Sequence, residues 1–409
     1  MKVVVEKYGG TSLGSVERIK AVAEHVIARQ TLGYGMVVVV SAMGDTTDQL
    51  LSMMKEVSHA PRQREMGMLL STGEVVSCSL LAMAIQSMGS RATSLTGAQG
   101  GITTDKVYDN AKILNIDTSR IKRLLEAGEI IVVAGYQGRT GDDITVLGRG
   151  GSDASAVALA AVLGAEYCHI FSDVRGVYTA DPRAIDDAAL LDAISYEEMI
   201  ELAGSGARVM MGRAVEIARK NGLKIIVSSS FEKSAGTIIT KESELEKIVI
   251  TGIASNEDVS MINIFGLNTN GNDSAEILNR IAEKQINIIL LNSTRREDNK
   301  SILSLVVKPE DAAVIEAFLE EFHRDSKIDS YHVDNDAGLV SIVGSGIANH
   351  FGVAYEMLEE LSKNDIDVLM TSTSEIKIAA IVPKHQTIEA THRLHNKFKL
   401  NNVQRNVLK

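Results

Sequence analysis

The loop Leu147-Gly148-Arg149-Gly150-Gly151-Ser152-Asp153 holds a guanidinium and a carboxylate four residues apart in a run of glycines. With no Cβ in the way, glycine backbone N–H groups can crowd around an anion. Arg149 can grip a carboxylate or phosphate, and Asp153 can meet an ammonium. The small apolar run Ala154–Ala161 predicts a helix starting at Ser152, with its N-terminus pointing at the same spot. This combination suits a phosphate donor beside a zwitterion, although a plain turn with a helix cap would use the same residue types.

Three further loops carry polar groups. Lys7-Tyr8-Gly9-Gly10-Thr11-Ser12 follows the strand Val3–Val5, which makes Lys7 either a phosphate contact or a solvated lysine before a tight turn. Ser41 and Thr47 flank a loop after the apolar run Met36–Val40, where open α/β sheets place ligands. The stretch Ser172-Asp173-Val174-Arg175-Gly176-Val177-Tyr178-Thr179-Ala180-Asp181-Pro182-Arg183 suits a purine and its phosphates, or forms a surface Asp-Pro turn. Ser71-Thr72-Gly73-Glu74 reads by spacing alone as a helix N-cap with an acid in the first turn. No Walker loop, H-E-x-x-H or G-x-S-x-G occurs, and no cysteine–histidine cluster suggests a metal site. Gly344-Ser345-Gly346 follows a strand but lacks the third glycine of a dinucleotide loop.

These loops need a scaffold, and the chain supplies one. Over about the first 240 residues, β-branched runs alternate with helical patterns, predicting an α/β layer with a largely parallel sheet. Strands are expected at Val3–Val5, Met36–Val40, Ile130–Ala134, Cys168–Phe171 and Lys224–Val227. Helices are expected at Ser15–Arg29, Asp48–Glu56, Thr72–Met88, Ser152–Leu163 and Ala207–Lys220. The charged stretch Lys241–Lys247 marks a junction. Beyond it a weak repeat appears: Ile264–Gly266, Ala275–Leu278 and Ile286–Thr294, then Ile342–Gly344, Tyr355–Leu358 and Ile366–Ser374. Each copy reads strand, helix, strand, with returns at Ser301–Val307 and Ile376–Val382, which predicts two ferredoxin-like α+β modules. Such modules pair sheet edges, so a homodimer or higher homo-oligomer is expected.

The 409 residues carry a net charge of −11, which speaks against nucleic acid or anionic membranes as bulk partners. Only Cys78 and Cys168 are present, both in apolar stretches, as in a reducing compartment. No leader pattern and no uninterrupted apolar run of spanning length is seen, so a cytoplasmic protein without membrane contact is expected.

Taken in order, KYGGTS (7–12), VSAMG (40–44), STGE (71–74), LTGAQGGI (95–102), LGRGGSD (147–153), GVYTADPR (176–183) and STSEIK (372–377) resemble the aspartate kinases of the amino-acid-kinase superfamily, in their monofunctional form with tandem ACT domains. The resemblance covers nearly the whole chain. It implies a catalytic domain over 1–243, a first ACT module over 248–334, whose leading strand at about 248–257 is expected to pair into the second, and a second module over 335–409. It implies ATP- and Mg²⁺-dependent phosphorylation of the L-aspartate β-carboxylate to 4-phospho-L-aspartate, the entry to lysine, threonine and methionine synthesis, with no metal held by the protein itself. A related kinase acting on glutamate or an acylated amino acid, and a non-catalytic ACT-type sensor, are the alternatives.

Carried over by position, the resemblance makes Lys7 and Asp153 catalytic. Ser41, Thr47, Glu74, Tyr136, Arg149, Ser152 and Asp153 would bind the amino acid, with Arg149 on its α-carboxylate and the acids near its ammonium. Lys7, Gly9, Gly10, Ser172, Asp173, Tyr178, Arg183 and Arg208 would hold the nucleotide. Asn287, Ile288, Ser293 and Thr294 would contact an amino-acid effector. The chain departs from the family pattern in several places. Arg208 replaces a lysine, and Met211-Gly212 replaces a His-Pro pair. Asn272-Asp273-Ser274 replaces Pro-Gly-Val, Ile289 stands where an acid is usual, and Phe351 stands where proline is usual. Altered or weakened feedback control is the expectation these changes raise.

Overall fold

The computed structural model describes residues 1–207, 209–232, 234–241, 249–268 and 272–402. Its first layer is an eight-stranded sheet in the order Ala193–Ser195, Thr237–Thr240, Ile225–Ser229, Cys168–Ser172, Lys2–Tyr8, Tyr34–Val40, Ile130–Ala134 and Ala92–Leu95. Every neighbouring pair is parallel except Ile225–Ser229 with Thr237–Thr240. The central strands are buried on both faces, so they read as unbroken apolar runs such as Val37-Val38-Val39-Val40. All five strands expected from sequence are present. Ala92–Leu95, Ala193–Ser195 and Thr237–Thr240 were not anticipated, because short polar strands carry little pattern.

A second, four-stranded sheet escaped the sequence reading as well. It runs Ile113–Ile116, Ile102–Thr104, Gln137–Thr140 and Asp143–Val146. Helix positions hold with shifted ends: Val16–Thr31, Thr46–Val57, Gly151–Leu163 and Gly212–Asn221.

One helix corrects the sequence reading. Gln63–Ser87 runs 25 residues, where Thr72–Met88 was expected, so Ser71-Thr72-Gly73-Glu74 lies inside it and caps nothing. Apolar Met66 and Leu70 carry the pattern upstream, and the chain is extended at Arg62, where the helix begins. The hydroxyls of Ser71 and Thr72 donate back to the carbonyls of Met68 and Leu69, so neither serves as a cap. Among the described residues this helix alone is long and apolar enough to cross a membrane. The polar residues within it hid that from a search for uninterrupted runs. Leu70, Cys78, Leu81, Ala82 and Ile85 bury its inner face in the protein core.

The six-stranded antiparallel sheet of the C-terminal half runs Leu290–Arg295, Lys300–Val307, Gly252–Asn268, Ser330–Val343, Lys377–Pro383 and Met370–Thr373. Its central strand, Gly252–Asn268, is continuous. Gly252–Asn256 pairs with Leu339–Val343, and Met261–Phe265 with Ser330–Asp334. Two hydrophobic clusters, around Ile264 with Phe318 and around Ile342 with Leu394, lie along this shared ladder. The strands expected at Ile286–Thr294 and Ile366–Ser374 are shorter, at Leu290–Arg295 and Met370–Thr373. The junction at 242–248 falls outside the described residues.

Candidate active site

Side chains alternate along Lys2–Tyr8. Glu6 and Tyr8 line a groove on one face of the sheet, and Lys7 enters a separate cavity on the other. Lys7 Nζ stands 2.7 Å from Asp153 Oδ1, with the two side chains 12% and 10% exposed. Asp153 lies in the first turn of Gly151–Leu163, a helix entered through left-handed Gly150 at φ 68. A Cβ at Gly150 would meet Met211 Cβ at 2.7 Å, so the turn requires glycine for both φ and space.

The cavity around Lys7 has a volume of about 550 Å³. Ser41, Thr47, Glu74, Tyr136, Arg149, Ser152, Asp153, Lys7 and Gly10 all line it. Five loops and helices, distant in sequence, therefore converge on one pocket. Asp48, Met66, Leu70 and Asp109 line it too and were not anticipated. The first three lie on helix faces whose spacing resembles that of any core stripe. Gly9 stands behind Lys7, its N–H donating to Phe171 O at 3.2 Å.

Glu74 is 3% exposed, and its Oε1 accepts a hydrogen bond from Ala42 N–H at 3.2 Å. Its Oε2 is buried without a hydrogen-bond partner. Burial pushes its carboxyl from 4.5 up to about 7, with the Ala42 N–H opposing. Gly73 makes the approach possible, since a Cβ there would come 2.8 Å from Ala42 Cβ. Burial, with Glu74 and Asp109 adding to it, lifts Tyr136 to about 12, so this phenol stays protonated. Tyr136 holds φ 67, an unusual strain for an aromatic residue and a mark of a fixed site geometry. Lysine and arginine beside buried acids give the pocket both signs of charge, as a zwitterion needs.

Asp173, Tyr178 and Arg183 line a second cavity of about 110 Å³. Ser172 donates to Asp173 Oδ1 at 3.0 Å and is not part of that lining. Arg183 forks onto Asp181 with contacts of 3.0 and 2.7 Å. Ile253, Ala254 and Ser255, from the long C-terminal strand, form the opposite wall. The nucleotide set predicted from sequence is thus split: Lys7 and Gly10 line the larger of these two cavities, Asp173, Tyr178 and Arg183 the smaller, and Gly9 and Ser172 line neither. Arg208 lies outside the described residues. Asn287 and Ile288 precede Leu290–Arg295, and Ser293 and Thr294 sit on that edge strand; none lines either cavity.

The C-terminal half docks onto the first domain through polar contacts that sequence reasoning missed. Glu198, 5% exposed, accepts from Thr251 Oγ1 at 2.7 Å and from Ser345 N–H at 2.9 Å. These bonds outweigh its desolvation and hold its carboxyl below the ordinary value. Lys377 Nζ pairs with Glu201 at 2.6 Å. The Gly344–Gly346 turn is therefore a docking loop. The Ser195-x-x-Glu198 capping box was visible in the sequence, but a cap gives no hint of a second task.

A largely parallel α/β sheet thus presents a lysine-bearing glycine loop to an acid-lined pocket, the class of architecture that comparison with known proteins identifies. The model of the amino acid kinase family matches residues 2–229, and that of an ACT domain matches residues 340–398. Aspartokinase 2 of Bacillus subtilis is 45% identical over 402 residues, 98% of each chain. The crystal structure of E. coli aspartokinase III with aspartate and ADP superposes with a TM-score of 0.83 at 20% identity, covering 97% of this chain and 99% of that one. The same enzyme with lysine and aspartate gives a TM-score of 0.72 at 21% identity, covering 97% and 100%. At those identities the two structures speak to the fold. The chain belongs to the amino acid kinase family, and within it to the aspartokinases. It is an enzyme, an aspartate kinase.

Proposed function

We propose that the 550 Å³ cavity binds L-aspartate and the transferring phosphoryl group of ATP, giving 4-phospho-L-aspartate and ADP. The convergence of Lys7, Arg149, Glu74 and Asp153 on that one cavity carries this reading. Arg149 clamps the α-carboxylate in a bidentate pair. Glu74, once ionised, meets the ammonium. The β-carboxylate has a pKa of about 4 and is already ionised, so no general base is needed. One of its oxygens bonds to the γ-phosphorus as the bridging P–O bond breaks, and ADP leaves with the electron pair. Lys7 neutralises charge building on the phosphoryl oxygens while Asp153 holds its ammonium in place. Mg²⁺ would travel with the phosphates and share that task. Asp173, Tyr178 and Arg183 hold the nucleotide's far end.

In this reading residues 1–243 form the catalytic domain, 248–334 and 335–409 the two ACT modules, and sheet-edge pairing makes a homodimer in the cytoplasm. A coupled assay of ADP release with aspartate, glutamate and N-acetylglutamate tests the substrate. Turnover with aspartate is expected, and turnover with glutamate alone would overturn the assignment. The free-ammonium pocket around Glu74 speaks against an acylated substrate.

Feedback control is expected to be weak. Ile289 offers no charge where an acid would hold an effector's ammonium, and Ser293 and Thr294 lie exposed on an edge strand. Adding lysine or threonine alone at submillimolar concentration should leave the rate unchanged. Clear inhibition by either would refute this.

A further inference from the structure

We infer that His395, in the last helix of the C-terminal half, is a positioning residue for nucleotide binding, acting through Thr179. The inference rests on the proposal that Tyr178 and Arg183 face the nucleotide. Thr179 sits between those two residues, and four contacts fix it. Its N–H donates to Ala189 O at 2.9 Å, and its carbonyl accepts from Ile253 N–H at 2.7 Å. Its Oγ1 accepts from Ala189 N–H at 2.9 Å and lies 3.0 Å from His395 Nε2. Thr179 and His395 are both fully buried.

The proton inventory sets the direction of that last bond. The Asp187 carboxylate, which can only accept, faces Nδ1 with its Oδ1 at 3.5 Å. The single proton of the neutral ring therefore belongs on Nδ1, and the Thr179 hydroxyl donates to Nε2. Burial holds the imidazole below its ordinary pKa, with Asp187 opposing and His392 adding, so it stays the neutral acceptor this bond requires. Asp187 faces the ring from the kinase loop and is held in turn by Asn401 Nδ2 at 3.1 Å. His392 faces it from one turn earlier on the same helix, Thr387–Lys397.

That helix packs Ala390 and Leu394 into the core of the second module. Its position is therefore read out at Thr179. Tyr178 is the adjoining residue and, with Arg183, lines the smaller cavity, so a shift of Thr179 carries Tyr178 with it. The docking strand adds to the coupling. Gly252 passes so close that a Cβ there would lie 3.0 Å from Thr179 O.

The test uses the full chain and steady-state kinetics with ATP and aspartate varied separately. His395→Leu fills the space but cannot accept the bond, and should raise KM for ATP about tenfold, with kcat and KM for aspartate within about twofold. His395→Gln places an amide oxygen where Nε2 was and should restore KM for ATP to within about twofold of the parent. Thr179→Val should raise KM for ATP as the leucine variant does, and combining the two should add nothing further. An unchanged KM for ATP in folded His395→Leu would overturn the inference, as would equal damage from Leu and Gln or an additive double variant. If His395→Leu fails to fold, Thr179→Val with and without His395→Gln carries the same comparison. Arg183→Ala separates the premise from the inference. No rise in KM for ATP there removes the nucleotide reading, whatever His395 does.

Discussion

Lys7→Met should lower kcat for aspartate phosphorylation by about 10³-fold. The side chain sits with its ammonium 2.7 Å from Asp153 in the cavity, 12% exposed. Charge that spreads over phosphoryl oxygens in the transition state needs a compensating cation held in place beforehand, and methionine keeps the stem without the charge. The same change strips Asp153 of its partner, so a loss of about 3 kcal/mol in stability should accompany it. The two effects are separable. Adding Asp153→Asn removes the stranded carboxylate and should recover most of the lost unfolding free energy in urea. It should not recover kcat. A Lys7→Met enzyme within about tenfold of the parent kcat would refute the phosphoryl role. Parallel recovery of stability and rate in the double variant would show that Lys7 serves only the fold.

The parts that sequence made legible were those governed by local chemistry. Val37–Val40 announces a doubly buried strand, and the glycines of 147–153 announce a backbone pressed against something. Each loop taken singly had a plain alternative, and what removed it was convergence. Only folding brings Ser41, Glu74, Tyr136 and Arg149 to one cavity from separate elements. Glu74 is the sharpest case. Read locally it follows a Ser-Thr pair as a first-turn acid should, yet the helix began nine residues before Thr72 and the hydroxyls bond inward. The wrong helix start concealed the burial that gives Glu74 its chemistry.

Contacts between the two halves were illegible for a different reason. Glu198 reaches Ser345 across 147 positions, and His395 reaches Thr179 across 216. No periodicity records a partner at that distance. Of the strand Gly252–Asn268, the resemblance anticipated the leading stretch near 248–257 pairing into the second copy, as Gly252–Asn256 does with Leu339–Val343, but not that it runs on unbroken into the first copy. The expected strand at Ile264–Gly266 is only its far end.

Glu74 supplies the second large effect, and its sign follows from its environment. Its folded pKa of about 7 lies above the ordinary 4.5. The folded chain therefore holds this proton more tightly than the unfolded chain does. The stability it contributes is complete below the unfolded pKa and is lost as pH rises through about 7. The full loss is about 3 kcal/mol. Glu74→Gln removes the titration. Without ligand, the unfolding free energy of the parent should fall relative to that of the variant between about pH 4 and about pH 9, by roughly that amount. If Glu74 meets the substrate ammonium as proposed, aspartate should reverse the balance, since that pairing favours the ionised carboxylate and expels the proton. Binding near neutrality should release a fraction of a proton, visible as a calorimetric enthalpy that depends on the buffer's ionisation heat. KM for aspartate should fall as pH rises through this pKa in the parent, and should be higher and flat in Glu74→Gln. A parent whose KM does not change across that range, or a glutamine variant that keeps the parent's profile, would mean that Glu74 does not meet the ammonium. The stability difference would then survive on its own as the cost of a buried acid.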